Sequence, residues 1–352
     1  MRDWGIRQAV REMTAYVPGE KVPGENIILN ANENPYPLSP KVAAAIRENI
    51  ERLPWYPESS SRGARAAVGR VFGVATEMVL MSNSADEMFH ILTQACVNDG
   101  EIIYAFTPSF TFYKTLASIQ HADFREIPFP DDFSLPELPA DFARAKIVFF
   151  PNPGAPGSNV YELSDIRRLL AAAPEAVVVI DEAYADFDGN RHSAVPLLKE
   201  YPNLMVVRTL SKSYSLAGMR IGFGIAAPEL MRELNKVRDY YNLDRLAQAA
   251  AEAALDDQAH MLANCEKIAA TREWFVRELA PLAEKVWPSA TNFVLARFGR
   301  RAGELYRRLK DAHILVRYWN VPRLDDCLRI SIGTDAQMRT VIAKIAELLP
   351  QC

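Results

Sequence analysis

The chain is expected to be an α/β protein: a mostly parallel central sheet in a large domain, a smaller α+β domain after it, and an arm before it. Three observations predict this. The apolar runs Ile102–Phe106, Lys146–Phe150, Val177–Ile180 and Met205–Arg208 lack polar alternation, as strands buried on both faces do. Helical periodicity recurs between those runs. A length of 352 residues exceeds one ordinary hydrophobic core.

Residues 1–38 are expected to form the arm, extended and packed on the small domain or a partner subunit. They hold Pro18, Pro23, Pro35 and Pro37 with Gly19 and Gly24 between them. Ser39 then caps a helix whose first residue is Pro40 and which runs to about Arg52. Further helices are expected at Arg62–Phe72, Ala85–Val97, Ser109–Ile119 and Ser164–Ala172, the last between two strands. The large domain spans 39–240. From 241 to 352 the pattern changes: helices at Arg245–Leu255, His260–Leu279, Ala302–Lys310 and Ala336–Leu348, and strands at Phe293–Ala296 and Leu328–Ile332.

Composition narrows the function. A formal net charge of −4 gives no basic field to recruit nucleic acid. The basic stretch 297–310 carries Ala302, Leu305, Tyr306 and Leu309 on one helical face, a core-facing stripe with a solvated back. No apolar stretch approaches the ~20 residues of a membrane helix, and residues 1–4 lack a signal-peptide core, so a cytoplasmic location is expected. The four cysteines and five histidines show no metal-ligand spacing, so no metal is expected. No G-x-S-x-G elbow marks a serine nucleophile.

Three segments carry chemistry. The buried strand Val177–Ile180 runs into Asp181, where ligands of open α/β sheets bind; a helix-capping or surface acid is the bland alternative. A second buried strand leads to Ser211 and Lys212, and an amine at such an edge is open to desolvation and to Schiff-base chemistry. Arg220 follows eight residues on, a planar donor fork suited to a phosphate, with Ser211 a further donor. Ser82–Glu87 precedes a helix whose first amides form an anion site, or simply an N-cap by Ser84 with Glu87 completing a capping box.

Together these segments resemble the fold type I pyridoxal-phosphate (PLP) aminotransferases. The arm segment 29–36 (LNANENPY) and the segment 327–334 (CLRISIGT) point to the histidinol-phosphate branch of that family, and 55–57 (WYP) lies within the resemblance. The resemblance covers nearly the whole chain and implies PLP as cofactor, bound covalently at the catalytic Lys212. It implies that Asp181 meets the ring nitrogen and Tyr184 the ring oxygen O3′. Phe110 stacks on the ring, and the amides of Ala85 and Asp86 hold the phosphate with Ser211 and Arg220. Tyr56 reaches the phosphate of a partner subunit, which makes a homodimer with shared sites. Arg329, Arg317 and Asn32 bind substrate. The implied reaction is ping-pong transamination of histidinol phosphate with 2-oxoglutarate in histidine biosynthesis. An aromatic amino-acid aminotransferase and a threonine-phosphate decarboxylase are the alternatives within the branch, and a non-enzymatic PLP-binding module lies outside it.

Two segments depart from the family pattern. Where Asn-Pro-Thr-Gly is usual, this chain has Ala155-Pro156-Gly157-Ser158, so the O3′ asparagine is replaced by Ala155. Asn152 is the expected substitute, from a shifted backbone. Ser84 stands where a glycine is usual.

Overall fold

The computed structural model of the chain describes residues 4–13, 19–20 and 22–352; Pro18 of the arm lies outside them. Among the described residues twelve strands follow in chain order: β1 (Ile27–Leu29), β2 (Val79–Asn83), β3 (Ile102–Thr107), β4 (Asp123–Pro128), β5 (Ala145–Pro151), β6 (Val177–Asp181), β7 (Leu204–Thr209), β8 (Ile221–Ala226), β9 (Lys285–Val286), β10 (Phe293–Arg297), β11 (Ile314–Val316) and β12 (Cys327–Ser331).

Seven of them form one sheet in the order β2-β8-β7-β6-β5-β3-β4. β4, β3, β5, β6 and β7 pair in parallel, whereas β8 runs antiparallel to both β7 and β2. The sheet separates two apolar cores because successive side chains of a strand face opposite sides. Val178, Ile180 and Val206 enter the layer beneath helices Arg62–Phe72, Leu163–Ala172 and Arg245–Leu255. Val179, Met205 and Val207 enter the other, beneath Ser84–Cys96, Phe112–Gln120 and Pro228–Val237. With both faces covered, the apolar runs need no polar alternation.

The four expected strands of this sheet are present within a residue or two of their expected ends. β2, β4 and β8 were not anticipated. β4 is an edge strand of mixed polarity, Asp-Phe-Arg-Glu-Ile-Pro, and β8 alternates Gly222 and Gly224 with apolar residues, which breaks the strand signal. The helix expected from Ser109 begins instead at Phe112. The Ser39 cap forms, its hydroxyl accepting from Lys41 N.

In the C-terminal part β10 pairs antiparallel with β12 and β9. β1 of the arm pairs in parallel with β11, so the arm is tied to this part by backbone bonds. The arm is less extended than expected, since Gln8–Glu12 forms a short helix. In the basic stretch, Ala302, Leu305 and Leu309 are buried while Arg307 and Arg308 pair with Glu304 and Lys310 with Glu20, a core-facing helix with a solvated back. Among the described residues no helix is long and apolar enough to cross a membrane, and no cluster of His, Cys, Asp and Glu could hold a metal ion.

Candidate active site

Strand ends and a helix start converge at one edge of the large sheet. β6 ends in Asp181, buried beside β5 and β7. Its Oδ2 accepts from the Tyr113 hydroxyl at 2.6 Å and its Oδ1 from Ala183 N at 3.1 Å. Burial pushes its pKa up to about 6, opposed by those two hydrogen bonds, which favour the anion. Tyr113 was not among the expected site residues. Its ring lies flat on Phe149, centroids 4.5 Å apart, and a tyrosine inside an apolar helix reads as core.

β7 ends at Thr209, whose hydroxyl donates to Ser211 Oγ at 2.9 Å and accepts from Ser211 N. The turn carries Lys212, whose Nζ donates to Ala31 O at 3.0 Å. Burial and the nearby Arg329 charge lower the amine to about pKa 8, while Glu33 opposes them. Behind the lysine, Asn34 donates to the carbonyls of Lys212 and Ser213, and Ser213 Oγ donates to Asp186. Asp186 in turn pairs with the buried Arg208, which also faces Glu182. The lysine turn is thus fixed from both sides.

Arg220 sits in left-handed backbone, φ 53°, and its Nη2 lies 3.0 Å from Asp86 Oδ2. Asp86 is in the first turn of helix Ser84–Cys96, whose opening amides face the start of β8. A Cβ at Gly222 would stand 2.4 Å from Ser84 C and 2.5 Å from Ala85 N, so only glycine lets the helix start come this close. The expected Ser84 cap is not made. Ser84 is the first helical residue, with φ 75°, its hydroxyl turned to Asp86 at 3.3 Å; Glu87 alone reaches back, to Asn83 N.

Above this floor lies a second layer. Tyr184 Oη accepts from Asn32 Nδ2 at 2.9 Å, and its ring meets Phe293 edge-on at 5.1 Å. The Arg329 guanidinium lies 5.1 Å from the ring centres of both Phe293 and Trp319, and Arg317 is 5.1 Å from Trp319 as well. Arg317 and Arg329 form a β-bridge with two backbone bonds of 2.9 Å. Arg329 Nη2 donates to Asn30 O, joining the cation to the arm. Trp319 and Ser331 are further residues that sequence reasoning did not single out; the tryptophan two residues past Arg317 was the available signal.

Of the expected residues, Asp181, Tyr184, Ser211, Lys212, Arg220, Ala85, Asp86, Asn32, Arg317 and Arg329 line this edge. Phe110 is half-buried with its ring 5.6 Å from Tyr113, at the rim of the same group. Asn152 stands apart. Its amide is already engaged, donating to Tyr161 O and His192 O and accepting from Tyr161 N, so it has no amide hydrogen left for O3′. The Ala155–Pro156 peptide is cis. Tyr56 is 77% exposed and stacks on Tyr241 at 4.6 Å, outside the cluster of this chain.

The arrangement offers an anion site at a helix start, a buried carboxylate for a cationic nitrogen, an amine of lowered pKa and a planar cation for a second anion. The model of aminotransferase class I and II matches residues 25–345. The histidinol-phosphate aminotransferase of Citrifermentans bemidjiense is 43% identical over 349 residues, 98% of this chain and 99% of the relative. That of Geotalea uraniireducens is 42% identical over 347 residues, covering 97% and 99%. Among solved structures, histidinol-phosphate aminotransferase from Sinorhizobium meliloti in complex with pyridoxal-5′-phosphate superposes with a TM-score of 0.89 at 26% identity, covering 98% of each chain.

Proposed function

The chain belongs to the class I and II aminotransferases, and from that premise we propose that it transfers the amino group of histidinol phosphate to 2-oxoglutarate in histidine biosynthesis, with PLP as its cofactor. The observation that carries the chemistry is the placement of the buried Asp181 at the end of β6 and of Lys212, an amine lowered to about pKa 8, in the turn that follows the neighbouring strand β7. The substrate reading is supported by the name shared by the relatives at 42–43% identity and by Arg329 beside the site.

The residues fit PLP in three respects. The close approach enforced by Gly222 leaves the amides of Ala85 and Asp86 to a phosphate, with Ser211 and Arg220 beside them. Asp181, costly to ionise alone, is satisfied by a protonated ring nitrogen. Tyr184 Oη already accepts one hydrogen bond and has its own proton to give. Bound PLP supplies an electron-withdrawing ring that stabilises negative charge at the substrate carbon. Lys212 Nζ would take the proton from the substrate carbon that bears the amine and deliver it to the cofactor carbon C4′ on the next step, base then acid. Asp181 holds the proton on the ring nitrogen. Arg329 fixes the substrate's anionic end: the phosphate of one substrate or a carboxylate of the other in alternate half-reactions. Arg317 adds a second positive charge beside it.

The exposed Tyr56 supports a homodimer in which it reaches the partner's phosphate, and the proposed domains are 39–240, which holds the seven-stranded sheet, and 241–352, which holds β9, β10, β11 and β12. A cytoplasmic location belongs to the same proposal.

The test is a half-reaction. Histidinol phosphate alone should convert the visible absorbance of the PLP-loaded protein, and 2-oxoglutarate should restore it. Faster conversion by phenylalanine or tyrosine would move the assignment to an aromatic aminotransferase, and carbon dioxide release from O-phosphothreonine to a decarboxylase. No conversion by any of them would favour a binding module.

A further inference from the structure

We infer that Asn32 is a positioning residue that sets the direction in which Tyr184 donates its proton, as the middle member of a one-way chain from Ser331 through Asn32 to Tyr184. The inference rests on the cofactor reading above and deepens it.

Asn32 is 1% exposed and sits in left-handed backbone, φ 55°, a conformation asparagine tolerates better than most residues. Four hydrogen bonds of 2.9 Å hold it. Its own N–H donates to Ser331 Oγ, and that hydroxyl donates back to Asn32 Oδ1. The amide of the fully buried Asn292 donates to Asn32 O. Asn32 Nδ2 donates to Tyr184 Oη.

The donor directions form a chain. A carbonyl oxygen can only accept, so Ser331 must give its proton to Asn32 Oδ1. That places the amide nitrogen toward Tyr184, and an amide nitrogen can only donate. The tyrosine oxygen therefore accepts from Asn32 and must direct its own hydrogen elsewhere. Accepting one hydrogen bond also strengthens a hydroxyl as donor, because each bond in a chain polarises the next. Ser331 lies two residues beyond Arg329 on β12, so the strand that presents the substrate cation also orients this chain.

The charged groups acting on the Tyr184 hydroxyl come from three elements: Arg329 of β12, Asp181 of β6 and Asp86 of the helix Ser84–Cys96. Arg329 favours the phenolate and the two carboxylates oppose it, so Tyr184 keeps its proton to give. Its pKa stays above the ordinary 10 because burial dominates.

The readout is the pH midpoint at which the visible band of the PLP-loaded protein changes. A donor to the cofactor's ring oxygen stabilises the deprotonated chromophore, so Tyr184→Phe should raise the midpoint. Asn32→Ala should raise it by less, on the order of half a unit. The double variant should match Tyr184→Phe alone, because without the hydroxyl Asn32 has nothing to orient. Ser331→Ala should shift the midpoint the same way, and it decides the matter if Asn32→Ala fails to fold. An unchanged or lowered midpoint, or a double variant whose shift is the sum of the singles, would overturn the inference. A native protein with no pH-dependent band, and no borohydride-trapped PLP on Lys212, would instead defeat the cofactor reading.

Discussion

The Tyr113 hydroxyl donates to Asp181 Oδ2 at 2.6 Å, joining a helix to a strand end 68 residues away, and neither group is open to water. Burial and the Asp181 carboxylate raise the tyrosine pKa well above 10, so it is a donor at neutral pH. A hydrogen bond to a buried anion contributes about 1.5–3 kcal/mol. Tyr113→Phe should therefore raise the Asp181 pKa above about 6 and weaken PLP binding at neutral pH by roughly 10–100-fold. Equilibrium titration of the cofactor-free protein with PLP measures this, and an unchanged dissociation constant at pH 7.5 would contradict it.

Asp181 also makes a stability prediction. Its folded pKa of about 6 lies above the ordinary 3.8, so the folded state binds its proton more tightly than the unfolded one. The associated stabilisation is complete below pH 3.8 and is lost as pH rises through 6. Asp181→Asn removes that titration. Denaturation of cofactor-free proteins at pH 4 and pH 7.5 should show the variant gaining about 2 kcal/mol on the native chain over the interval. A constant difference would mean that Asp181 is not desolvated.

The architecture was legible because strands buried on both faces leave uninterrupted apolar runs, and these marked β3, β5, β6 and β7 closely. Asp181 and Lys212 were legible because they follow such runs within a few residues, and Arg220 because it lies eight residues beyond Lys212. What escaped had no local pattern. Tyr113 reaches Asp181 only through the packing of its helix, and Ser331 reaches Asn32 across 299 residues. Asn152 is the asparagine nearest the altered motif in the sequence, yet the N–H and carbonyl of Tyr161 and the carbonyl of His192 claim its amide. Satisfying buried polar groups outweighs proximity.

Lys212 should capture PLP in a pH-dependent way. With a pKa of about 8, roughly one amine in ten is neutral at pH 7, against about three in ten thousand for an ordinary lysine. The rate of PLP attachment to the cofactor-free protein should rise about tenfold from pH 6 to pH 7 and level off above pH 8. Stopped-flow absorbance follows it. A rate still climbing tenfold per unit at pH 9 would show that the amine is not desolvated. Lys212→Ala should hold PLP without a covalent bond and lose at least about 10²–10⁴-fold in turnover.

Gly222→Ala tests the phosphate cup. The new Cβ would meet Ser84 C at 2.4 Å and Ala85 N at 2.5 Å, backbone atoms that cannot step aside alone. The helix start must retreat from β8, which takes the amides of Ala85 and Asp86 out of register with Arg220. Overpacking of this kind typically costs about 1–3 kcal/mol. The variant should melt lower and bind PLP at least about tenfold more weakly, while Gly218→Ala, with open space around its position, should do neither. Equal behaviour of the two variants would remove the case for a tight cradle.

Arg329 lies between two aromatic faces, with Phe293 and Trp319 each 5.1 Å from its guanidinium. The rings hold the plane of the cation, and Asn30 O accepts from one Nη, so the remaining donors are presented in a fixed direction. A lysine keeps the charge but not the planar fork. Arg329→Lys should therefore raise KM for both histidinol phosphate and 2-oxoglutarate, by roughly 10–100-fold, with a smaller effect on kcat. Trp319→Ala leaves the fork intact but frees its plane. Cation–π contacts contribute about 0.5–2 kcal/mol, so it should raise both KM values by roughly 2–30-fold, and Trp319→Phe should recover most of the loss. Steady-state kinetics in each substrate separate these outcomes. A Trp319→Ala variant with raised KM for only one substrate would show that the indole contacts that substrate directly, and does not merely orient the arginine that serves both.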